Sequence, residues 1–254
     1  MNDRTQCGRL PLPGMFVQAS FEENNTFVLR DNMNKWIKYA TGRLYRPLVE
    51  WYLSSTREYT YKGIRLLVPP QVFHPGLFFS TRLLLHHIGR LPLHGQKMLE
   101  MGAGNGLISF FAARQGASVT ASDINPIAIE YLQSNSVRNS LPITVIRSDL
   151  FGGIPLQHFD IIAINPPYYK RTPVSDADYA WFCGEHGEYF DGLFRDLRQY
   201  MHAGTSAWMI LNEACDMAMI GKYAANYGFS LACVWSGRNW LERNFLYRIE
   251  PWSD

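Results

Sequence analysis

Four consecutive residues, Asn165-Pro166-Pro167-Tyr168, combine two hydrogen-bond acceptors with a flat aromatic ring at the end of an apolar run. Pro167 has no backbone N–H and disfavours a helical conformation at Pro166, so the Pro166 carbonyl is held in an extended chain. The Asn165 amide oxygen is a second acceptor, and the Tyr168 ring is a stacking face. We interpret these residues as a binding site in which two acceptors take hydrogen bonds from both hydrogens of a planar –NH2 group, from an amide or a nucleobase. Such a site can turn the nitrogen lone pair toward an electrophile; a tight turn without chemistry is the alternative.

A glycine-rich stretch, Glu100-Met101-Gly102-Ala103-Gly104-Asn105-Gly106, follows an earlier apolar run. Glycines at 102, 104 and 106 let the backbone turn tightly, approach a ligand closely and expose N–H groups at the start of a helix. Leu107 stands where the dinucleotide fingerprint Gly-x-Gly-x-x-Gly needs its third glycine. A nicotinamide-dependent oxidoreductase, which also would not explain Asn165-Pro166-Pro167-Tyr168, is therefore the less favoured interpretation.

Two carboxylates follow the glycine-rich stretch. Asp123 ends the next apolar run, 21 residues after Gly102, and its ionised carboxylate can accept hydrogen bonds from both hydroxyls of a ribose. Asp149 follows a third run, where it can accept from the amino group of an adenine or simply cap a surface turn. Together with the glycines, these residues predict a site for an adenosine-containing ligand.

Alternating short apolar runs and amphipathic stretches follow residue 95, which predicts a βαβ succession. Strands are expected at 97–101, 118–121, 143–146, 160–164, 207–211, 229–234 and 245–249, and helices at 107–114, 126–139, 188–201 and 213–227. We therefore expect an α/β fold with a Rossmann-like, seven-stranded sheet, whose last two strands form an antiparallel edge.

The N-terminal third has a different pattern. It predicts helices beginning near Asn32 and at Pro47, a hairpin over 58–68, and a helix over 81–88 capped by Ser80. We expect 1–92 to be an accessory, substrate-recognition region, mainly helical with a small hairpin, and 93–254 to be the catalytic domain. We interpret His74 as structural rather than catalytic.

Composition narrows the class of protein. The 254 residues are 47% hydrophobic and 18% charged, which excludes disordered and collagen-like chains. No long apolar window and no signal-peptide pattern occur, so we expect a soluble, cytoplasmic protein without a membrane partner. The net charge of +2 is uneven, because residues 1–98 carry 13 basic against 6 acidic side chains. We interpret these scattered basic residues as an ordinary solvated surface, with a face for nucleic acid or an acidic partner as the alternative.

Four features follow one another along the chain: the glycine-rich stretch from Glu100, then Asp123, then Asp149, and then Asn165-Pro166-Pro167-Tyr168. In this order they resemble the motifs of class I S-adenosylmethionine-dependent methyltransferases. The closer resemblance is to the small-methyltransferase group, which includes release-factor glutamine methyltransferases and adenine-directed RNA methyltransferases. It is close over residues 96–170 and looser to 254. It implies S-adenosyl-L-methionine as the cofactor and methyl transfer to an amino or amide nitrogen of a macromolecule. We expect no metal, and the sequence leaves the oligomeric state open.

The resemblance also implies a role for each motif residue. The residues implied in catalysis are Asn165, Pro166, Pro167 and Tyr168. Those implied in cofactor binding are Glu100, Gly102, Gly104, Gly106, Asp123, Ile124, Asp149, Leu150 and Asn165. Residues 72–76 stand where the family often has a loop that reaches over the cofactor.

The acceptor is the least determined part of the prediction. Residues 242–249 resemble the edge strand of the glutamine-methylating branch. In release-factor methyltransferases, however, an aliphatic residue typically follows the Asn-Pro-Pro-Tyr motif, whereas this chain continues with Tyr169-Lys170-Arg171. Because the overall basicity is mild, we favour a protein glutamine side chain. An adenine of rRNA, tRNA or DNA is the alternative, and a non-catalytic binding module that retains the fold is a third interpretation.

Overall fold

The computed structural model describes residues 54–76, 79–238 and 242–252. The two helices predicted to begin near Asn32 and at Pro47 lie outside these ranges. Among the helices within them, none combines the length and the apolarity needed to cross a membrane.

A seven-stranded sheet forms the centre of the described chain. Its strands are β3 (Lys97–Met101), β4 (Ser118–Asp123), β5 (Thr144–Arg147), β6 (Phe159–Ile164), β7 (Met201–Asn212), β8 (Phe229–Arg238) and β9 (Arg243–Pro251). Their order is β5-β4-β3-β6-β7-β9-β8. The first five in this order are parallel, while β9 runs antiparallel to both β7 and β8. This confirms the predicted Rossmann-like fold and its antiparallel edge.

Five α-helices and a two-stranded hairpin surround the sheet in the described chain. The hairpin is β1 (Arg57–Tyr61) and β2 (Ile64–Val68), and the helices are α1 (Phe79–Ile88), α2 (Leu107–Arg114), α3 (Pro126–Asn139), α4 (Glu188–Leu197) and α5 (Met217–Asn226). Helices α2 and α3 have their predicted bounds. The start of α3 follows from local chemistry, because the Asn125 side chain accepts from the Ile127 N–H and Pro126 occupies the first turn.

Three predicted helix ends were wrong by two residues or more. Helix α4 stops at Leu197, since residues 198–200 tighten into a 3₁₀ turn that leads into β7. Helix α5 begins at Met217 rather than at residue 213, because the Asp216 carboxylate caps it by accepting from the Met219 N–H at 3.0 Å. Ser80 lies inside α1, which begins at Phe79, instead of capping it. Its hydroxyl oxygen accepts from the Asn165 side chain.

The hairpin and α1 share one apolar core with the sheet. Ile64 and Leu66 of β2 and Leu84 of α1 belong to the same buried cluster as Phe110 of α2. The hairpin is also fixed by Asn135 of α3, whose side-chain amide bonds both the N–H and the carbonyl of Leu67, at 2.8 and 3.0 Å. The boundary expected after residue 92 therefore runs through a shared core, and described residues on both sides of it form one packed unit.

The sheet brings three motif segments to one edge. β4, β3 and β6 are adjacent parallel strands, so their carboxyl ends at Asp123, Met101 and Ile164 lie side by side. Each strand is almost wholly buried, which fixes its position between helical layers. In folds of this kind, ligands bind just beyond the carboxyl ends of such strands.

Candidate active site

A cleft opens beyond the carboxyl ends of β3, β4 and β6, where the glycine turn, Asp123 and Asn165 meet. Segments as far apart in sequence as Gly102 and Asn165, which are separated by 63 residues, thus share one cavity, because their strands are neighbours. The residues of the predicted site that line it are Glu100, Gly102, Gly104, Asp123, Ile124, Asp149, Leu150, Asn165, Pro166, Pro167 and Tyr168.

Gly106, which the resemblance implies in cofactor binding, is not among the described residues that line the cleft. It is buried at the N-cap of α2 with φ +77°, and an added Cβ would approach Leu132 Cδ2 to 2.5 Å and Phe110 Cε2 to 2.7 Å. By contrast, Gly102 has φ +67° and an added Cβ would meet no atom within 4 Å. Helix packing therefore requires glycine at 106, whereas Gly102 faces the open cleft.

Asp123 faces the glycine turn. Its Oδ2 accepts from the Gly104 N–H at 2.8 Å and its Oδ1 accepts from the Asn125 N–H at 2.9 Å. Burial raises the pKa of Asp123, and these backbone N–H groups oppose the rise. An ionised carboxylate has about four acceptor sites, so each oxygen keeps one for a hydroxyl. The arrangement fits a ribose diol.

Glu100 is a second acid in the cleft wall, and its side chain is buried. Its Oε2 accepts from the backbone N–H and the hydroxyl of Ser109. Burial raises the pKa of Glu100 to about 8; the Ser109 bonds oppose this rise and the charge of Asp123 adds to it. Because a nearby positive charge stabilises the ionised form of a buried acid, Glu100 and Asp123 suit a cationic ligand such as S-adenosylmethionine.

Near the ends of β4 and β5 the cleft is lined by two apolar side chains and one carboxylate. Ile124 and Leu150 supply apolar surface, and the exposed Asp149 supplies an acceptor. Leu150 adopts φ +48°, and the Ser148 hydroxyl holds this turn by donating to the Leu150 carbonyl at 2.7 Å. This end fits a purine ring whose amino group faces Asp149.

Asn165 lies within a small polar network. We call this part of the cleft, where the reacting –NH2 group is expected to bind, the acceptor end. Its Nδ2 is 3.3 Å from Ser80 Oγ and 3.4 Å from Thr81 Oγ1, while the Tyr168 hydroxyl donates to its Oδ1 at 2.8 Å. Burial raises the pKa of Tyr168, so this hydroxyl stays protonated and available as a donor. From the sequence, a role was predicted only for the ring of Tyr168 and none for Ser80 or Thr81, because no sequence pattern links residues 84 or 85 positions apart.

Residues 71–73 line part of the cleft and include the start of the loop 72–76 that the resemblance implies over the cofactor. Two asparagines beside the cofactor motifs hold their backbone: Asn105 Nδ2 donates to the Phe73 carbonyl at 2.8 Å, and Asn125 Nδ2 donates to the Gln71 carbonyl at 3.4 Å. His74 is buried, and its Nδ1 accepts from the Gly76 N–H at 3.2 Å. Since His74 does not line this cleft, its position agrees with a structural role.

An aromatic wall closes the acceptor end, and the sequence analysis did not find it. Phe73 lies 5.3 Å from Trp181, centroid to centroid. Tyr169 and Tyr179, both more than 40% exposed, also line the cleft. Three of these rings belong to residues 169–187, an irregular stretch whose aromatic residues show neither helical nor strand periodicity, so nothing in the sequence assigned them to a site.

Two further acids reach the acceptor end, Asp176 and Glu242. The Glu242 carboxylate is fixed by two amides from neighbouring strands: Asn212 Nδ2 donates to Oε2 at 3.0 Å and Asn244 Nδ2 donates to Oε1 at 3.2 Å. Within the described ranges, every charged side chain that lines the cleft is acidic.

Comparisons with known proteins agree with this geometry. Residues 63–182 match the family model "Methyltransferase small domain". The chain is 32% identical over 149 residues to a Methanocaldococcus jannaschii protein named "Putative protein N5-glutamine methyltransferase", covering 56% of this chain and 73% of that one. It is 32% identical over 119 residues to ribosomal RNA small subunit methyltransferase C of Hamiltonella defensa, covering 46% of this chain and only 35% of the relative.

A solved structure shares the fold. The 16S rRNA N2 G1207 methyltransferase of T. thermophilus, in complex with AdoMet and guanosine, superposes with a TM-score of 0.56 at 18% identity, covering 78% of this chain and 50% of that one. The family match, the relative covered over 73% of its length and the cleft at the carboxyl edge of the sheet lead to one conclusion. The chain belongs to the small-domain family of S-adenosylmethionine-dependent methyltransferases.

Proposed function

We propose that this chain transfers the methyl group of S-adenosylmethionine to the side-chain amide nitrogen of a glutamine in a protein. The observation that carries the proposal is the acceptor end of the cleft. Asn165 and the buried Pro166 line the same cavity as two acids, Asp176 and Glu242, and no basic side chain of the described residues lines it.

The charge of the cleft favours a neutral amide over a nucleotide. Nucleic acids are held largely by Lys and Arg at their phosphates, whereas Asp176 and Glu242 would repel a phosphate at the mouth of the site. A glutamine side chain brings an uncharged –NH2 group and no phosphate. The resemblance of residues 242–249 to the glutamine-methylating branch and the name of the M. jannaschii relative support the same acceptor.

The chain's own residues bind and orient. Glu100 and Asp123 would hold the cationic and ribose parts of the cofactor, with Ile124, Asp149 and Leu150 at its adenine. When bound, S-adenosylmethionine supplies an electrophilic methyl group on a sulfonium. Asn165 Oδ1 and the Pro166 carbonyl would accept one amide hydrogen each, which favours a pyramidal nitrogen whose lone pair is less conjugated with the carbonyl and points toward the electrophile. The nitrogen would form its bond to the methyl carbon as the bond between that carbon and the sulfonium sulfur breaks, which leaves the demethylated cofactor as a neutral thioether. The nitrogen would then release one of its two original protons to solvent.

An adenine acceptor is the second candidate, and the aromatic wall favours it. The rings of Phe73, Tyr169, Tyr179 and Trp181 line the cleft, and stacking on aromatic side chains is how proteins hold flipped or single-stranded bases. Adenine also carries an –NH2 group that would fit between Asn165 and Pro166. The acidic lining remains the reason to place it second.

Identification of the methylated product decides between the candidates. The purified protein would be incubated with methyl-labelled S-adenosylmethionine and desalted lysate of its source organism, and the macromolecules digested to amino acids and nucleosides. Label in N5-methylglutamine supports the proposal, and label in N6-methyladenosine overturns it in favour of the second candidate. Cofactor binding without any transfer would indicate a binding module. Asn165→Ala is the control for background methylation.

A further inference from the structure

The Asn165 amide can serve the acceptor in only one of its two orientations. With Oδ1 toward the cleft, it accepts an N–H of the –NH2 group. Rotated by 180° about the Cβ–Cγ bond, it would present its own N–H groups to those of the acceptor, and two donors would face each other. An exposed asparagine samples both orientations, because this torsion is broad and roughly two-fold. Something in the fold must therefore select one.

Two hydroxyls on α1 stand where this selection has to occur. Ser80 is 2% exposed and Thr81 is 5% exposed, and their oxygens lie 3.3 and 3.4 Å from Asn165 Nδ2. An amide nitrogen has two hydrogens and a hydroxyl oxygen has two lone pairs, so the two hydroxyls can accept one N–H each. Both bonds are longer than the usual 2.9–3.0 Å, so each is weak on its own. We therefore expect the two bonds together to fix the orientation of the amide better than either one alone.

Tyr168 completes the selection from the other side. Its hydroxyl donates to Asn165 Oδ1 at 2.8 Å. If the amide were rotated, the Asn165 –NH2 group would take the place of Oδ1, and the Tyr168 hydroxyl could no longer donate to it. Because a carbonyl oxygen has two lone pairs, one remains for the methyl acceptor. Thus acceptors surround the Asn165 nitrogen and a donor faces its oxygen.

We infer that Ser80 and Thr81 are positioning residues, which hold the Asn165 amide with its oxygen toward the methyl acceptor. This inference rests on the proposed role of Asn165 but not on whether the acceptor is glutamine or adenine. It also gives α1 a part in catalysis. The helix packs on the sheet through Leu84, Leu85 and Ile88 and is thereby rigid enough to carry the two hydroxyls.

The test compares Ser80→Ala, Thr81→Val, their double variant and the conservative Thr81→Ser. The matched control is Thr205→Val, since Thr205 is also buried but bonds the Phe159 carbonyl at the opposite edge of the sheet. The reaction is single-turnover transfer from saturating, methyl-labelled S-adenosylmethionine to desalted lysate macromolecules. Cofactor affinity is measured separately by calorimetry.

We expect each single variant to lower the transfer rate about 3- to 10-fold and the double variant about 30-fold or more, because slight misplacement of a reacting group is costly. Cofactor affinity should stay within twofold of wild type, Thr81→Ser should recover most of the rate, and Thr205→Val should leave it unchanged. In an Asn165→Ala background, Thr81→Val should cause no additional loss.

A second readout needs no acceptor. In protein labelled with ¹⁵N-asparagine, the Asn165 side-chain NMR signal, assigned by its loss in Asn165→Ala, should shift or broaden in the double variant and stay in place in Thr205→Val. An unchanged signal, an unchanged rate in the double variant, or an equal loss in the Asn165→Ala background overturns the inference. The identity of the labelled product separately reports on the proposed function.

Discussion

The hydroxyl of Tyr168 donates to the amide oxygen of Asn165 at 2.8 Å, three residues back along the chain. The same oxygen is the proposed acceptor for the reacting –NH2 group, so Tyr168 contributes more than a ring face. A group that binds one lone pair of this oxygen fixes the direction of the other. The Asn-Pro-Pro-Tyr turn thus contains its own orienting contact.

This contact predicts that Tyr168→Phe will be measurably impaired. The ring survives in this variant, whereas a hydrogen bond with a net worth of about 0.5–1.5 kcal/mol is lost, so the single-turnover rate should fall about 3- to 10-fold. Tyr168→Ala, which also loses the stacking face, should fall further. A Tyr168→Phe rate equal to wild type would mean that only the ring acts, as the sequence alone suggested.

Asn165→Ala should abolish most of the transfer while leaving the cofactor site intact. Loss of one preorganised polar contact at a reacting centre costs about 10²–10³ in rate, and Asn165 Oδ1 is such a contact in our proposal. Single-turnover methyl transfer at saturating cofactor measures the rate, and calorimetry measures cofactor affinity. Retention of more than about a third of the wild-type rate would show that the side chain is structural.

Asp123→Ala should weaken S-adenosylmethionine binding. The variant removes a charged acceptor of the ribose diol, worth roughly 1.5–3 kcal/mol, and also frees the Gly104 N–H that now donates to it. Calorimetry on the folded variant is the measurement. Asp160→Asn is a suitable control, because Asp160 lies at the opposite edge of the sheet beside Lys97. Unchanged affinity in Asp123→Ala would exclude the ribose assignment.

Cofactor affinity should rise with pH as Glu100 ionises. Burial raises the pKa of Glu100 to about 8 in the ligand-free protein, so the carboxyl is largely protonated at pH 7. A cationic ligand favours the ionised form and lowers this pKa, which means that binding releases a proton. Affinity for S-adenosylmethionine, measured by calorimetry between pH 6 and pH 8.5 in buffers of different ionisation enthalpy, should therefore increase up to about pH 8.

Glu100→Gln is the control for this pH dependence, because it has no carboxyl to titrate. Any pH dependence of the affinity that remains in this variant would come from Asp123, whose pKa is also raised by burial.

The stability of the ligand-free protein should change in the opposite direction to cofactor affinity as the pH rises. Because the folded ligand-free protein holds the Glu100 proton at pH values where the unfolded chain has lost it, the free energy of unfolding should fall between about pH 4.5 and pH 8. A pH-independent affinity in the wild type would contradict the placement of Glu100 beside the cofactor's charge.

Two glycines of the same turn should respond oppositely to alanine. Gly106→Ala brings a Cβ within 2.7 Å of Phe110 and closer still to Leu132, so thermal unfolding should show a loss of about 1–3 kcal/mol or more. Gly102→Ala has open space around it and suffers only the backbone cost of its positive φ, but it should weaken cofactor binding because the methyl group enters the cleft. The reverse ranking would contradict the roles assigned here.

The sequence by itself determined the presence of the seven strands and the linear motifs, whereas β7 begins at Met201 rather than at residue 207. The buried strands β3 and β6 are short apolar runs, and α3 carries its own start signal in Asn125-Pro126, so local chemistry fixed these elements. The glycine turn, Asp123 and Asn165 were identifiable for the same reason, since each lies at the end of its own strand. Their convergence followed from the rule that parallel strands present their carboxyl ends at one edge.

The tertiary structure alone decided which other residues meet them. Ser80 and Thr81 reach Asn165 because α1 packs across the sheet, and Trp181 meets Phe73 because two irregular segments fold over the same cleft. No periodicity encodes such pairings, since they depend on how helices and loops pack rather than on local propensity. Gly106 shows the converse: its sequence pattern indicated a ligand contact, whereas the packing of Leu132 and Phe110 against it requires a residue without a side chain.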